Sequence, residues 1–252
     1  MLLRLIITGL ALALTAGVTL GAPKPYRVSL TGDGFDGKSW HTAVQVDLDP
    51  GWKTYWRMPG EAGIPPEFSW STSSPAEVSV GFPVPSRHSD KGGEAIGYAG
   101  QVLFPVTVTP AKVGALDLGL DLFFAVCKDI CIPAQAKATI SLGAEERDPL
   151  GSVRAEAARA TVPAPGDAIA AATVIAEAGK PVLQLELRER PDDIYVETTG
   201  AAYFRAPVFS ADSRTAELAV DNLSDSAKLK GQSLRLTYTK GGKGYEQSVT
   251  LP

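Results

Sequence analysis

The chain is short of the side chains that most often carry chemistry, with two cysteines, two histidines and two methionines in 252 residues. It shows no Ser-His-Asp set with a recognisable nucleophile elbow, no Gly-rich phosphate loop after a strand and no H-E-x-x-H helix, which argues against a hydrolase. It also lacks a basic block. Lys and Arg number 24 against 28 Asp and Glu, a formal charge of −4, so neither nucleic acid nor an anionic membrane surface is an expected partner. After the N-terminus no segment approaches the roughly 18 consecutive apolar residues that a spanning helix needs.

The N-terminus itself is the exception to this modest hydrophobicity. Residues 1–22 carry one positive charge at Arg4, an apolar run from Leu5 to Leu14 and small residues from Ala16 to Ala22. This is the layout of a secretory signal peptide, with an uncleaved anchor as the alternative. The expected location is therefore outside the cytoplasm, in a bacterial periplasm, with no membrane span once the signal is removed. About 230 residues then remain, enough for one large or two ordinary domains with cores of their own.

Along the mature chain, short alternating segments predict strands at Tyr26 to Leu30, Thr42 to Leu48, Glu67 to Trp70, Glu77 to Val80, Val102 to Thr109, Leu116 to Val126 and Ala138 to Leu142. Asp49-Pro50-Gly51, Met58-Pro59-Gly60, Ile64-Pro65-Pro66, Phe82-Pro83-Val84-Pro85 and Gly92-Gly93 read as turns or loops. Such spacing predicts an all-β sandwich over residues 25–143. Glu145 to Arg159 is rich in helix formers and is closed by Val162-Pro163-Ala164-Pro165-Gly166, so residues 144–166 read as a short helix and linker. Alternation returns at Val182 to Leu187, Ile194 to Thr198, Ala216 to Val220, Leu234 to Tyr238 and Tyr245 to Leu251, with Lys240-Gly241-Gly242-Lys243 as a hairpin turn. A second, smaller β domain over residues 170–252 is the expectation. It contains neither cysteine nor histidine.

The two cysteines, Cys127 and Cys131, stand four positions apart in Phe-Phe-Ala-Val-Cys-Lys-Asp-Ile-Cys-Ile-Pro. In an exported protein such a pair reads first as a structural disulfide. Spacing weakens that reading, because closing a loop of about five residues contributes on the order of 2 kcal/mol, against about 4.7 for a loop of 100. An apolar strand runs into Lys128-Asp129-Ile130, which would let the sulfurs face each other across a tight hairpin. A single helical turn would also bring them together, but Ile132-Pro133 disfavours a continuing helix. At a hairpin tip a partner thiolate can reach a sulfur in line, as disulfide exchange requires. Lys128 would favour a thiolate and Asp129 would oppose it. Tyr55 and Tyr98, with Trp52 and Trp56, are candidates to pack beside the sulfurs or lend a hydroxyl, or else to fill the core. Glu61 and Glu94 read as ordinary loop carboxylates, and His41 and His88 as surface residues.

The run from Gly51 through Trp52-Lys53-Thr54-Tyr55-Trp56-Arg57-Met58-Pro59-Gly60 to Pro66, then Gly97-Tyr98, Phe104-Pro105-Val106 and Cys127-Lys128-Asp129-Ile130-Cys131-Ile132-Pro133, resembles the N-terminal periplasmic domain of the DsbD and ScsB thiol:disulfide interchange proteins. The resemblance covers about residues 25–143. It implies an immunoglobulin-like fold that takes electrons from a thioredoxin-like or membrane-bound donor and reduces periplasmic disulfide oxidoreductase clients. Cys131 would form the mixed disulfide and Cys127 would resolve it, without a cofactor or metal. The cysteine spacing is shorter than in the DsbD branch and nearer that of ScsB. No thioredoxin-type C-x-x-C is present, so electrons are expected from a separate protein. The loop that in DsbD caps the disulfide with an aromatic would fall near Asp90 to Glu94, which has none. Two other classes compete: a partner-binding β module with an inert bridge, and a Cu(I) carrier using the two soft sulfurs, for which no histidine follows Cys131 and Met58 is the only mature methionine.

Overall fold

Alternating side chains place one face of each strand inward, and the chain accordingly folds as layered antiparallel sheets around two apolar cores. The computed structural model describes residues 24–60, 63–90, 93–143, 149–177, 179–200, 202–223 and 226–252. The expected signal peptide, Glu61 and Lys91-Gly92 lie outside the described residues.

The first sandwich contains β1 (Tyr26–Phe35), β2 (Trp40–Leu48), β3 (Lys53–Gly60), β4 (Glu67–Thr72), β5 (Ala76–Val80), β6 (Ser86–Asp90), β7 (Gly93–Ala99), β8 (Gln101–Pro110), β9 (Leu116–Cys127) and β10 (Cys131–Leu142). One sheet runs β1-β2-β8-β5 and the other β10-β9-β3-β7-β6, with β4 also paired to β9. Trp56, Phe104, Leu118, Leu122 and Phe124 meet between them. β10 forms the outer margin of its sheet.

Helix α1 (Pro149–Arg159) follows. It is more than a connector, because Ala155 and Ala158 bury against Ala43 on the outer face of the first sheet. The expected linker beyond it contributes a short strand, β11 (Ala164–Pro165), parallel to the last strand of the chain. The second sandwich continues with β12 (Ile169–Glu177), β13 (Lys180–Leu187), β14 (Asp193–Glu197), β15 (Tyr203–Phe204), β16 (Val208–Phe209), β17 (Thr215–Asp221), β18 (Ser233–Lys240) and β19 (Lys243–Thr250). Its sheets run β11-β19-β18-β14 and β12-β13-β17-β15, with β16 on β17. As expected, β18 and β19 close on Gly241 and Gly242, whose φ values of 56° and 77° are those a two-residue hairpin turn demands.

Three readings change. Met58-Pro59-Gly60 is the irregular end of β3 rather than a turn, since β3 pairs with β7 at Tyr55 and next at Gly60, five residues against two on the partner strand. Ser86 to Asp90 and Gly93 to Ala99 form a hairpin that the polar sequence concealed. β12 is alanine-rich and becomes a strand through its pairing with β13.

The sandwiches meet through charged and aromatic side chains. Arg87 contacts Asp193 and Glu94 while its Nη2 donates to the Ile194 carbonyl. Tyr195 and Tyr203 join the first core.

Candidate redox site

β9 and β10 pair along twelve residues each, from Leu116↔Leu142 to Cys127↔Cys131. Leu118, Leu120, Leu122, Phe124 and Val126 anchor this long hairpin in the core. Cys127 and Cys131 stand at its tip as a closed disulfide with Cα atoms 4.1 Å apart. The hairpin geometry is the one expected from the sequence, and the helical alternative is excluded. Cys127 is half-buried, whereas Cys131, Ile132 and Pro133 are exposed.

Tyr55 reaches the bridge. Its hydroxyl lies 3.1 Å from Cys131 Sγ. A disulfide sulfur carries no proton, so the phenol is the donor. β3 brings it there by pairing Lys53 with Cys127 and Thr54 with Val126, and Thr54 Oγ1 fastens the two strands by donating to the Ala125 carbonyl at 2.9 Å. Tyr55 is only 4% exposed although it lies outside the core cluster. Gly63 lies against its ring, so that a Cβ there would sit 2.3 Å from Pro59 Cβ and 2.6 Å from Tyr55 Cδ1. Only glycine lets the chain lie so close to the ring.

The other candidates are elsewhere. Tyr98 is buried, its ring 5.3 Å from that of Phe104 and its hydroxyl donating to the Pro83 carbonyl at 2.8 Å. Burial pushes its phenol well above the ordinary tyrosine range. Lys128 directs its ammonium to the Pro50 carbonyl at 3.4 Å and lies along Gly51. Trp52 packs at the edge of the core and Trp56 within it. His41 and His88 are half-buried rather than on the surface, and His41 Nε2 is 2.8 Å from Asp36.

Glu94 is not an ordinary loop carboxylate. It pairs with Arg87 Nη1 at 2.7 Å and accepts the Tyr203 hydroxyl. Arg57, unmarked in the sequence, grips Glu197 through Nε and Nη2 at 2.7 and 2.6 Å and Glu246 through Nη2 at 2.7 Å. Burial opposes the charge of Arg57, but hydrogen bonding and attraction from Glu197 and Glu246 outweigh it and its pKa rises. Burial opposes Arg87 as well, and Asp193 and Glu94 outweigh it in turn. Partners 140 and 189 residues away leave no local signature.

Among the described residues no group of three or more His, Cys, Asp or Glu side chains is placed to hold a metal ion, and no helix is long and apolar enough to cross a membrane. The arrangement offers a disulfide between a half-buried and an exposed cysteine, a hydroxyl donor on Cys131 Sγ, and an apolar rim in which Ile130 is 68% and Ile132 38% exposed.

Residues 23–142 match the family described as thiol:disulfide interchange protein DsbD, N-terminal. Among solved structures, the N-terminal periplasmic domain of ScsB from Proteus mirabilis matches with a TM-score of 0.67 at 24% identity, covering 90% of this chain and 91% of that one. That likeness is one of fold, and it extends through the second sandwich. No curated protein sequence matches the chain.

Proposed function

Because residues 23–142 belong to the DsbD N-terminal domain family, a family of thiol:disulfide interchange, we propose that this chain is a periplasmic dithiol/disulfide carrier working through Cys127 and Cys131. The observation that carries the reading is the exposed residue Cys131, bridged to a half-buried Cys127 across a loop too short to staple the sandwich.

In the accepting half-cycle, a thiolate of a thioredoxin-like or membrane-bound donor attacks Cys131 Sγ along the S–S axis. The Cys127–Cys131 bond breaks, Cys131 bonds to the donor sulfur, and Cys127 leaves as a thiolate that takes a proton from solvent. The donor's second thiolate then attacks its own sulfur in the mixed disulfide, and the donor departs oxidised. Two electrons now reside in the Cys127/Cys131 dithiol. In the second half-cycle Cys131 attacks a client disulfide and Cys127 resolves it. Tyr55 donates its hydrogen bond to Cys131 whenever that sulfur carries negative charge, and Ile130 and Ile132 give a partner apolar surface to sit on.

The two cysteines are distinguishable. A Cys127→Ala protein incubated with a thioredoxin-like donor that keeps only its attacking cysteine, activated as a mixed disulfide with a small aromatic thiol, should release that thiol and accumulate a mixed disulfide through Cys131, and Cys131→Ala should accumulate far less. Equal trapping by both variants would overturn the assignment of roles, and trapping by neither would leave the bridge an inert staple.

A further inference from the structure

The segment of β3 that follows Tyr55 is not held by its own sheet. β3 pairs with β9 only at Lys53 and Thr54, and with β7 at Lys53 to Tyr55 and then Gly60. Among the described residues, Trp56 to Pro59 therefore have no ladder partner on either side. A strand segment without ladder partners is ordinarily loose, yet Trp56 here is 1% exposed.

Its support comes from the second sandwich. The planar fork of Arg57 takes both oxygens of Glu197, at the end of β14, and one oxygen of Glu246 on β19. The guanidinium also lies 4.8 Å from the Trp56 ring centre and 5.3 Å from that of Phe82. Tyr195 meets Trp56 edge-on at 5.9 Å. A bidentate pair of this kind fixes orientation as well as distance, and with Arg57 and Glu197 side chains 21% and 14% exposed it is shielded from the screening that makes surface pairs weak. Two residues before Arg57 stands the hydroxyl on Cys131 Sγ. A redox constellation keeps its function only while its members hold within about 0.5 Å.

We propose that Arg57 is a positioning residue: the second sandwich, acting through Glu197 and Glu246, fixes the bulge of β3 and so aims the Tyr55 hydroxyl at Cys131. This rests on Cys131 as the exchanging sulfur. It gives residues 170–252 a share in the redox site without contributing an atom to it.

The test uses the full chain in a Cys127→Ala background, so that Cys131 is the only thiol, and follows its reaction with a small disulfide reagent against pH. Arg57→Lys keeps the charge and loses the fork. It should move the Cys131 titration upward, in the direction that Tyr55→Phe moves it, and slow the reaction up to twofold at a fixed pH below the midpoint. Added to Tyr55→Phe it should change nothing further, because the hydroxyl it aims is gone. Glu246→Gln, which spares the Glu197 fork, should give a smaller shift of the same sign and serves if Arg57→Lys does not fold. A purely structural Arg57 would lower the melting temperature and leave the Cys131 pH profile untouched. That result, or an equal effect of Arg57→Lys with and without the Tyr55 hydroxyl, overturns the proposal. Titration of Cys131 requires no protein partner, so failure to trap a thioredoxin-like donor counts against the carrier reading separately.

Discussion

Replacing Tyr55 by Phe removes one oxygen and leaves the ring beside Gly63, so its effect reports the loss of the hydroxyl that stands 3.1 Å from Cys131 Sγ. A hydrogen bond to a charged acceptor contributes about 1.5–3 kcal/mol and one between neutral groups about 0.5–1.5. Cys131 is exposed, which favours the lower end of both ranges. The hydroxyl then prefers thiolate over thiol by about 1 kcal/mol, and at 1.36 kcal/mol per unit its loss raises the Cys131 pKa by about 0.7. Below the midpoint the thiolate fraction falls about fivefold. Nucleophilicity recovers about half of that on a logarithmic scale, since the Brønsted slope is about 0.4–0.5. The net expectation is a reaction about twofold to threefold slower at fixed pH below the midpoint, with the plateau at high pH about twofold higher. Single-thiol Cys127→Ala protein, followed by thiolate absorbance and by stopped-flow reaction with a small disulfide across pH, measures both quantities. A Cys131 midpoint that is unmoved in Tyr55→Phe, or that moves down, refutes the role given to the hydroxyl.

Gly63→Ala places a methyl group 2.3 Å from Pro59 Cβ and 2.6 Å from the Tyr55 ring; overpacking of this kind should cost about 1–3 kcal/mol in denaturant unfolding and disturb the Cys131 titration as well, which an alanine at the open Gly114 should not. Reducing the disulfide should leave the far-UV spectrum intact and lower the melting temperature by no more than about 8 °C, from about 2 kcal/mol of loop closure in a chain of this size. Tyr98, Tyr195 and Tyr203 have phenols raised above the ordinary value of 10.0, burial being the largest cause in each and Glu94 adding a hydrogen bond at Tyr203. The folded state therefore holds these protons more tightly than the unfolded one, so the stability they contribute is complete below pH 10 and is lost as the pH climbs toward the folded values. In an alkaline titration at 295 nm they should ionise together with the loss of structure; if all seven tyrosines ionise near pH 10 with circular dichroism retained, burial of these three is wrong.

The legible parts of this fold were those in which a local pattern carries the physics. Leu116 to Val126 alternates cleanly and forms β9 almost residue for residue, and Lys240-Gly241-Gly242-Lys243 encodes its own turn. The cysteine hairpin followed from the position of Pro133 and the length of Lys128 to Ile130. Tyr55 was recognisable as the favoured candidate, but not the direction of its hydroxyl, and Tyr98 stood beside it as a second until its own hydroxyl proved committed to Pro83. β3 was hidden because Pro59 and Gly60 signal a turn when read alone, whereas the strand continues irregularly under support from another part of the chain. Glu94 and Arg57 were misjudged or missed for the same cause: their partners Tyr203, Glu197 and Glu246 lie more than a hundred residues downstream, and no spacing rule reaches that far.

Pro133 stands two residues beyond the outer sulfur, on a strand that forms the margin of its sheet. Proline is tolerated inside a sheet where its missing amide would have pointed to solvent, so the rim beside the disulfide is interrupted for any strand that tries to add to it. With Ile130 and Ile132 exposed alongside, that margin would otherwise invite one copy of the protein to zip onto another. The backbone gap lets a sticky, reactive tip stay open to visitors while discouraging self-assembly.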